Sequence, residues 1–361
     1  DKAFQRELAA YLYSGVTAVR SVGDLLDTAL EVRKTVNSGE KQGAEFFLAG
    51  PLFTTAGGHG TEFFRHLPDN IRPRMEAQFL RMPQNAQEAK QQVDALKKDN
   101  VDAIKAIMES GAGGVVFNRL DPKILMAIGA AAQADGLPLL VHTGDPRDVE
   151  DALKAGASGI EHGSFQQSIP DADFAEMVRR GVTYDPTLSV AEGMLQFTAG
   201  KLDGLNRSLV QQVLPAKILS LTRSAMDTPH EVAIRKSMAR YPIDMKIAKD
   251  NLLRAWKAGV ILVTGSDAGN MMVFHGPTVQ REIELWVEAG IPAKVALQAA
   301  TLNGAMSLRA DRRFGSVEKG KEATLLVVDG NPLEDVKATE TISFVMFKGE
   351  RVNRGELFNQ D

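Results

Sequence analysis

Apolar residues in this chain gather into short runs separated by longer stretches of mixed polarity. Seven runs read as strands: GVTAVRSVG (15–23), AEFFLAGPLF (44–53), VDAIKAIM (101–108), LPLLVHTG (137–144), ASGIEHGS (157–164), GVTYDPTL (181–188) and GVILVTGSDAG (259–269). Between them lie amphipathic segments such as NAQEAKQQVDALKKDN (85–100) and PKILMAIGAAAQADG (122–136), which carry helical spacing. Several helical segments stop at a glycine just before the next strand, in ADG-LP, KAGASG, RRG-VT and KAG-VI. Glycine there ends a helix because it accepts the left-handed backbone of the C-cap. Continuous apolar strands alternating with helices predict a parallel sheet covered by helices.

A closed barrel of such units needs eight strands, because closure removes the exposed edges. The expected fold is therefore α/β, a (β/α)8 TIM-type barrel whose first strand precedes residue 1, where the chain opens DKAFQRELAAYL like the middle of a helix. An open doubly wound sheet also satisfies the strand count. The barrel is expected over residues 1–311, interrupted by a long loop at 54–84 and a mostly helical insertion at 189–250. From 312 the pattern changes to short strands with turn signals, in GSVEKGKEATLLVVDGNP and ISFVMFKGERV. Residues 312–361 then read as the C-terminal part of a small β-sandwich.

Composition narrows the function classes. A formal net charge of −4 over 361 residues gives no pull towards nucleic acid or an anionic membrane surface. The absence of cysteine removes disulfides, thiol nucleophiles and thiolate zinc sites together. No apolar run is long enough to span a bilayer. The partner expected is a small-molecule substrate, while homo-oligomer formation and compartment stay open.

One residue does not fit its strand. Lys105 sits in the middle of VDAIKAIM, and a buried ammonium is costly unless it is paired, neutralised or chemically changed. His142 ends LPLLVH, His162 ends GIEH and Asp267 ends ILVTGSD. In a parallel barrel such strand ends converge on one mouth, where two imidazoles and a carboxylate suit a divalent cation such as zinc. Lysine joins that set if its neutral amine reacts with carbon dioxide, forming a carbamate and releasing a proton. The carbamate is an anionic group with two oxygens, able to bridge two cations. Taken singly, each residue has a plainer reading: a lysine reaching solvent, a core histidine, an aspartate capping a helix.

The sequence resembles the amidohydrolase superfamily, in its imidazolonepropionase-like and Xaa-Pro dipeptidase-like branch. The segments that carry the resemblance include GVTAVRSVGD (15–24), TAGGHG (55–60), the IKA around Lys105, LVHT (140–143), GIEHG (159–163), TGSDAG (264–269), ALQAATLNGA (296–305) and GSVEKGKEATLLVVDGNPLEDV (315–336). The resemblance implies a metal site at the barrel mouth, with Lys105 bridging, His142 and His162 binding one cation, and Asp267 binding the other. The family's His-x-His pair occurs nowhere in this chain, and it is expected upstream of residue 1. The implied reaction is hydrolysis of an amide or cyclic amide, of dipeptide or N-acyl amino acid type, with Asp267 accepting the proton of the attacking water. His59 in AGGHG and Tyr184 in YDPTL are candidate substrate contacts. Two other readings remain at this stage: a lyase or aldolase forming a Schiff base on Lys105, and a barrel without catalysis.

Overall fold

The computed structural model describes residues 2–359. Strand β1 (Ala18–Ser21) pairs in parallel with β2 (Glu45–Leu48). The run 44–53 is not one strand: the chain turns at Gly50, with φ of 71°, and resumes as β3 (Leu52–Phe53). Glycine is suited to that left-handed position, and Pro51 next to it cannot donate to a ladder. A two-residue strand β4 (Leu80–Arg81) then rises out of the 54–84 loop and pairs with β3, which the sequence pattern did not foreshadow.

Strands β5 (Ile104–Met108), β6 (Leu139–Thr143), β7 (Gly159–Glu161), β8 (Thr183–Asp185) and β9 (Ile261–Leu262) complete a seven-stranded sheet. Its order is β4-β3-β5-β6-β7-β8-β9, and every pairing is parallel. Helices cover its outer face, in the manner of a TIM-type barrel. All four glycines marked as C-caps take left-handed backbone, with φ of 69° at Gly136, 86° at Gly156, 67° at Gly181 and 91° at Gly259. The helix Pro146–Lys154 starts on a capping box, with Asp145 and Asp148 bonding each other's backbone amides.

The pleat sorts side chains between core and cavity. Ile104, Ala106 and Met108 of β5 and Leu139 and Val141 of β6 are buried against Val93, Leu96, Leu125, Ile128 and Val149 of the outer helices. The alternate residues Lys105, Ile107 and His142 line a cavity instead. β1 is bonded on one edge only, to β2, and β9 only to β8; among the described residues no strand pairs with their other edges. The cavity extends between these two edges, lined by Ala18 to Asp24 on one side and Val263 to Asp267 on the other.

Beyond the sheet, strands β10 (Leu325–Val328), β11 (Ile342–Phe347) and β12 (Glu350–Arg351) form an antiparallel three-stranded sheet. Val345 and Leu357 of this region bury against Ala9 and Leu12 of the first helix, Lys2–Tyr13. The 189–250 insertion is helical, and its helices Ala216–Ala225 and Pro229–Met238 bury no residue fully. No helix among the described residues is long and apolar enough to cross a membrane.

Candidate active site

Lys105, His142, His162 and Asp267 all line one cavity of about 1450 Å³. They come from four different strands or strand ends, and the register brings them together. Lys105 is 3% exposed, and its amine makes no hydrogen bond or ion pair among the described residues. The His142 and His162 rings stand edge to face with centroids 4.4 Å apart. Burial pushes the Asp267 carboxyl up from its ordinary range, and the nearby charges of Lys105 and His142 oppose that.

Period-2 alternation does not explain how Glu161 and His162, neighbours in sequence, both reach the cavity. His162 does so by adopting φ of 67°, which turns its side chain back inward. Thr187 and Asp267, with φ of 43° and 50°, share this left-handed backbone. Among the described residues, three of the seven non-glycine residues with positive φ thus lie at one cavity. For a β-branched threonine the conformation costs on the order of 1–3 kcal/mol, and surrounding structure must hold it. Here the Thr187 hydroxyl lies 2.6 Å from His162 Nδ1.

His59 occupies the mouth. Its Nδ1 is 2.6 Å from Glu62 Oε1, and its ring stacks obliquely on Phe117 at 4.8 Å. Burial alone would push its pKa down, but the Glu62 hydrogen bond and the Glu109 charge outweigh it, favouring the cation. Burial likewise lowers the pKa of His142 and, further, of His162.

Tyr184 is a correction. It is fully buried on the outer side of β8 in the main core, packed towards Phe174, with its hydroxyl 3.3 Å from the His162 carbonyl. The pleat sends its neighbour Asp185 into the cavity and leaves Tyr184 out of the cavity lining.

Glu109 was missed by sequence reading. It continues the inward alternation Lys105–Ile107–Glu109 one step past the last apolar residue of β5, beyond the end of the apolar run. Its Oε2 lies 3.0 Å from His142 Nε2 and 4.0 Å from His59 Nε2, and the Tyr241 hydroxyl donates to Oε1 at 2.7 Å. The ligand atoms of His59, Glu109 and His142 all lie within 4.8 Å of one another, close enough to hold a cation. Glu161 and Asp185 also face the cavity, and burial together with the Glu161 charge pushes the Asp185 carboxyl well up.

The sequence profile of the Amidohydrolase family matches residues 2–352. The chain belongs to this family. It is 25% identical over 369 residues to the ochratoxinase of Aspergillus niger, covering 95% of this chain and 66% of that protein. The chain therefore spans just under two thirds of the length of that relative. A shorter match, 35% identical over 109 residues, links 28% of it to 24% of the probable imidazolonepropionase of Xenopus laevis. Among solved structures, a Xaa-Pro dipeptidase with bound methionine in its active site superposes with a TM-score of 0.73 at 28% identity. That superposition covers 97% of this chain and 78% of the dipeptidase.

Proposed function

We propose that this amidohydrolase family member hydrolyses a carbon–nitrogen bond with the help of a divalent cation, zinc being the first candidate. Lys105, as its carbamate, His142, His162 and Asp267 would hold the cation. The donor set fits such a group. Lys105 presents a deeply placed amine that makes no hydrogen bond or ion pair among the described residues, in a cavity it shares with the two imidazoles and the Asp267 carboxyl. Each imidazole has one nitrogen engaged by the protein, Nε2 of His142 and Nδ1 of His162, and the other without a hydrogen-bond partner among the described residues. When bound, a divalent cation lowers the pKa of water towards ~7 and polarises a carbonyl oxygen.

The protein's own groups do the rest. Asp267, its carboxylate in the cavity beside Lys105 and His142, takes the proton of the attacking water and hands it to the leaving nitrogen. His59, inclined to the cation by Glu62 and Glu109, binds a carboxylate or carbonyl of the substrate. Phe117, Phe165 and Met238 form an apolar part of the cavity wall that receives an apolar substituent. A dipeptide or N-acyl amino acid matches that combination, and the resemblance to a Xaa-Pro dipeptidase supports the same substrate class.

The gathering of Lys105, His142, His162 and Asp267 in one cavity carries this reading. The test is Asp267→Asn, assayed on a panel of dipeptides and N-acyl amino acids with metal content measured by elemental analysis. Loss of a positioned acid–base group lowers turnover by ~10²–10⁴-fold, with metal retained. Undiminished turnover rules out the assigned role.

A further inference from the structure

A histidine that serves as a cation ligand must present a chosen nitrogen, and the partner of its other nitrogen decides which. For His162 that partner is the Thr187 hydroxyl on Nδ1, which leaves Nε2. For His142 it is Glu109 on Nε2, which leaves Nδ1. The two rings thus offer opposite nitrogens across a 4.4 Å separation.

Glu109 is built to hold that position. It is 5% exposed, and both its oxygens are engaged, Oε2 by His142 at 3.0 Å and Oε1 by the Tyr241 hydroxyl at 2.7 Å. Gly144, one residue past β6, leaves the room it needs: a Cβ there would stand 3.0 Å from Glu109 Cγ and 3.3 Å from its Cδ. Tyr241 arrives from the helical insertion, so a distant segment of chain clamps the carboxylate. With the Tyr241 hydroxyl donating to Oε1, the carboxylate stands as the acceptor of both contacts, which demands a proton on the His142 nitrogen facing Oε2.

We propose that Glu109 is a positioning residue: it fixes His142 as the Nε2–H tautomer, so that Nδ1 carries the lone pair for the cation, and Tyr241 holds Glu109 in place. This rests on the hydrolase reading for its consequence, though the tautomer itself is independent of any bound ion. The close approach of His59, Glu109 and His142 is then a hydrogen-bonded support rather than a separate cation site.

The experiment has two readouts on the full chain. The first is ¹⁵N-histidine NMR without added metal, with the His142 signal assigned through a His142→Asn variant. The expected result is an Nε2–H tautomer in the wild type and a mixture in Glu109→Ala. The second is zinc affinity by chelator competition together with ion stoichiometry. Glu109→Ala weakens binding by ~10–100-fold at unchanged stoichiometry, Glu109→Gln weakens it less because its amide oxygen still accepts, and Tyr241→Phe shifts it in the same direction. The Gln variant keeps the volume of the side chain and serves if the Ala variant fails to fold.

An unchanged tautomer overturns the proposal, as does unchanged affinity. Loss of one ion per chain also overturns it, by making Glu109 a ligand in its own right. A wild type that binds no divalent cation but shows the Glu109-dependent tautomer defeats the hydrolase reading and leaves the positioning role standing.

Discussion

The helix Leu188–Thr198 begins directly after Thr187, and its N-terminus is capped by a residue far away in sequence. The ordinary capping residue is committed elsewhere, since the Thr187 hydroxyl bonds His162 and makes no cap bond. Glu282 of the helix Thr278–Glu288, with no exposed surface, supplies the acceptor instead. Leu188 N–H donates to Oε1 at 2.8 Å, Ser189 N–H to Oε2 at 2.6 Å, and Trp286 Nε1–H to Oε1 at 2.8 Å. A carboxylate here satisfies orphan donors and meets the positive end of the helix dipole.

Glu282→Gln keeps the volume but places an NH2 donor against one of those N–H groups. A hydrogen bond to a charged group is worth ~1.5–3 kcal/mol, and a buried donor left without a partner adds ~1–3 kcal/mol. Relief of the buried charge offsets part of this, since burial pushes the Glu282 carboxyl up against the pull of its donors. The net loss expected is ~2–4 kcal/mol. At ~2.1 cal/mol/K per residue, unfolding 361 residues carries an entropy of ~0.8 kcal/mol/K, so the melting temperature falls by roughly 3–5 °C. Differential scanning calorimetry of the two proteins at neutral pH measures it. A Gln variant that melts with the wild type, or above it, would show that Glu282 is protonated in the native state and that the capping argument is wrong.

Two further outcomes follow from particular contacts. Tyr184→Phe removes only a 3.3 Å bond to a backbone carbonyl in the core, so steady-state kinetics should change less than ~3-fold. A ten-fold or larger rise in KM would restore a substrate role for the hydroxyl. Glu45 bonds Arg313 at 2.7 and 2.9 Å and approaches Lys348 at 3.4 Å. Burial works against its ionisation, but these cations hold its pKa below the ordinary 4.5. A depressed carboxyl pKa adds stability above the unfolded value, and that stability is lost as pH falls through the folded value. Glu45→Gln should therefore be less stable than wild type by ~1 kcal/mol at pH 7, with the gap closing below pH 4.5 in urea titrations. A gap that stays constant from pH 7 to 3 would contradict the linkage.

Much of the architecture was legible in local pattern. Glycine before each strand, apolar runs and amphipathic intervals are properties of neighbouring residues, and the four C-cap glycines behave as their positions imply. The misfit of Lys105 was also local, since a charge among apolar residues shows in five letters of sequence. His142, His162 and Asp267 were readable as strand-end groups because a parallel sheet sends such ends to one side. The break of 44–53 into β2 and β3 was not, because Gly50-Pro51 leaves the apolar run uninterrupted while the backbone turns.

By itself, then, the chain's order of residues determined the kinds of elements, their sequence and the four side chains that reach the cavity. Tertiary structure alone decided which way each of them faces. Tyr184 and Asp185 are adjacent and equally plausible on paper, yet the pleat sends one to the core and the other to the cavity. His162 escapes the same alternation through one left-handed residue, and Glu109 acquires meaning only when Tyr241, 132 positions away, closes on it. Strand type follows from interactions among near neighbours. Side-chain direction and partnership depend on backbone angles and contacts that long-range packing imposes, and no local pattern encodes those.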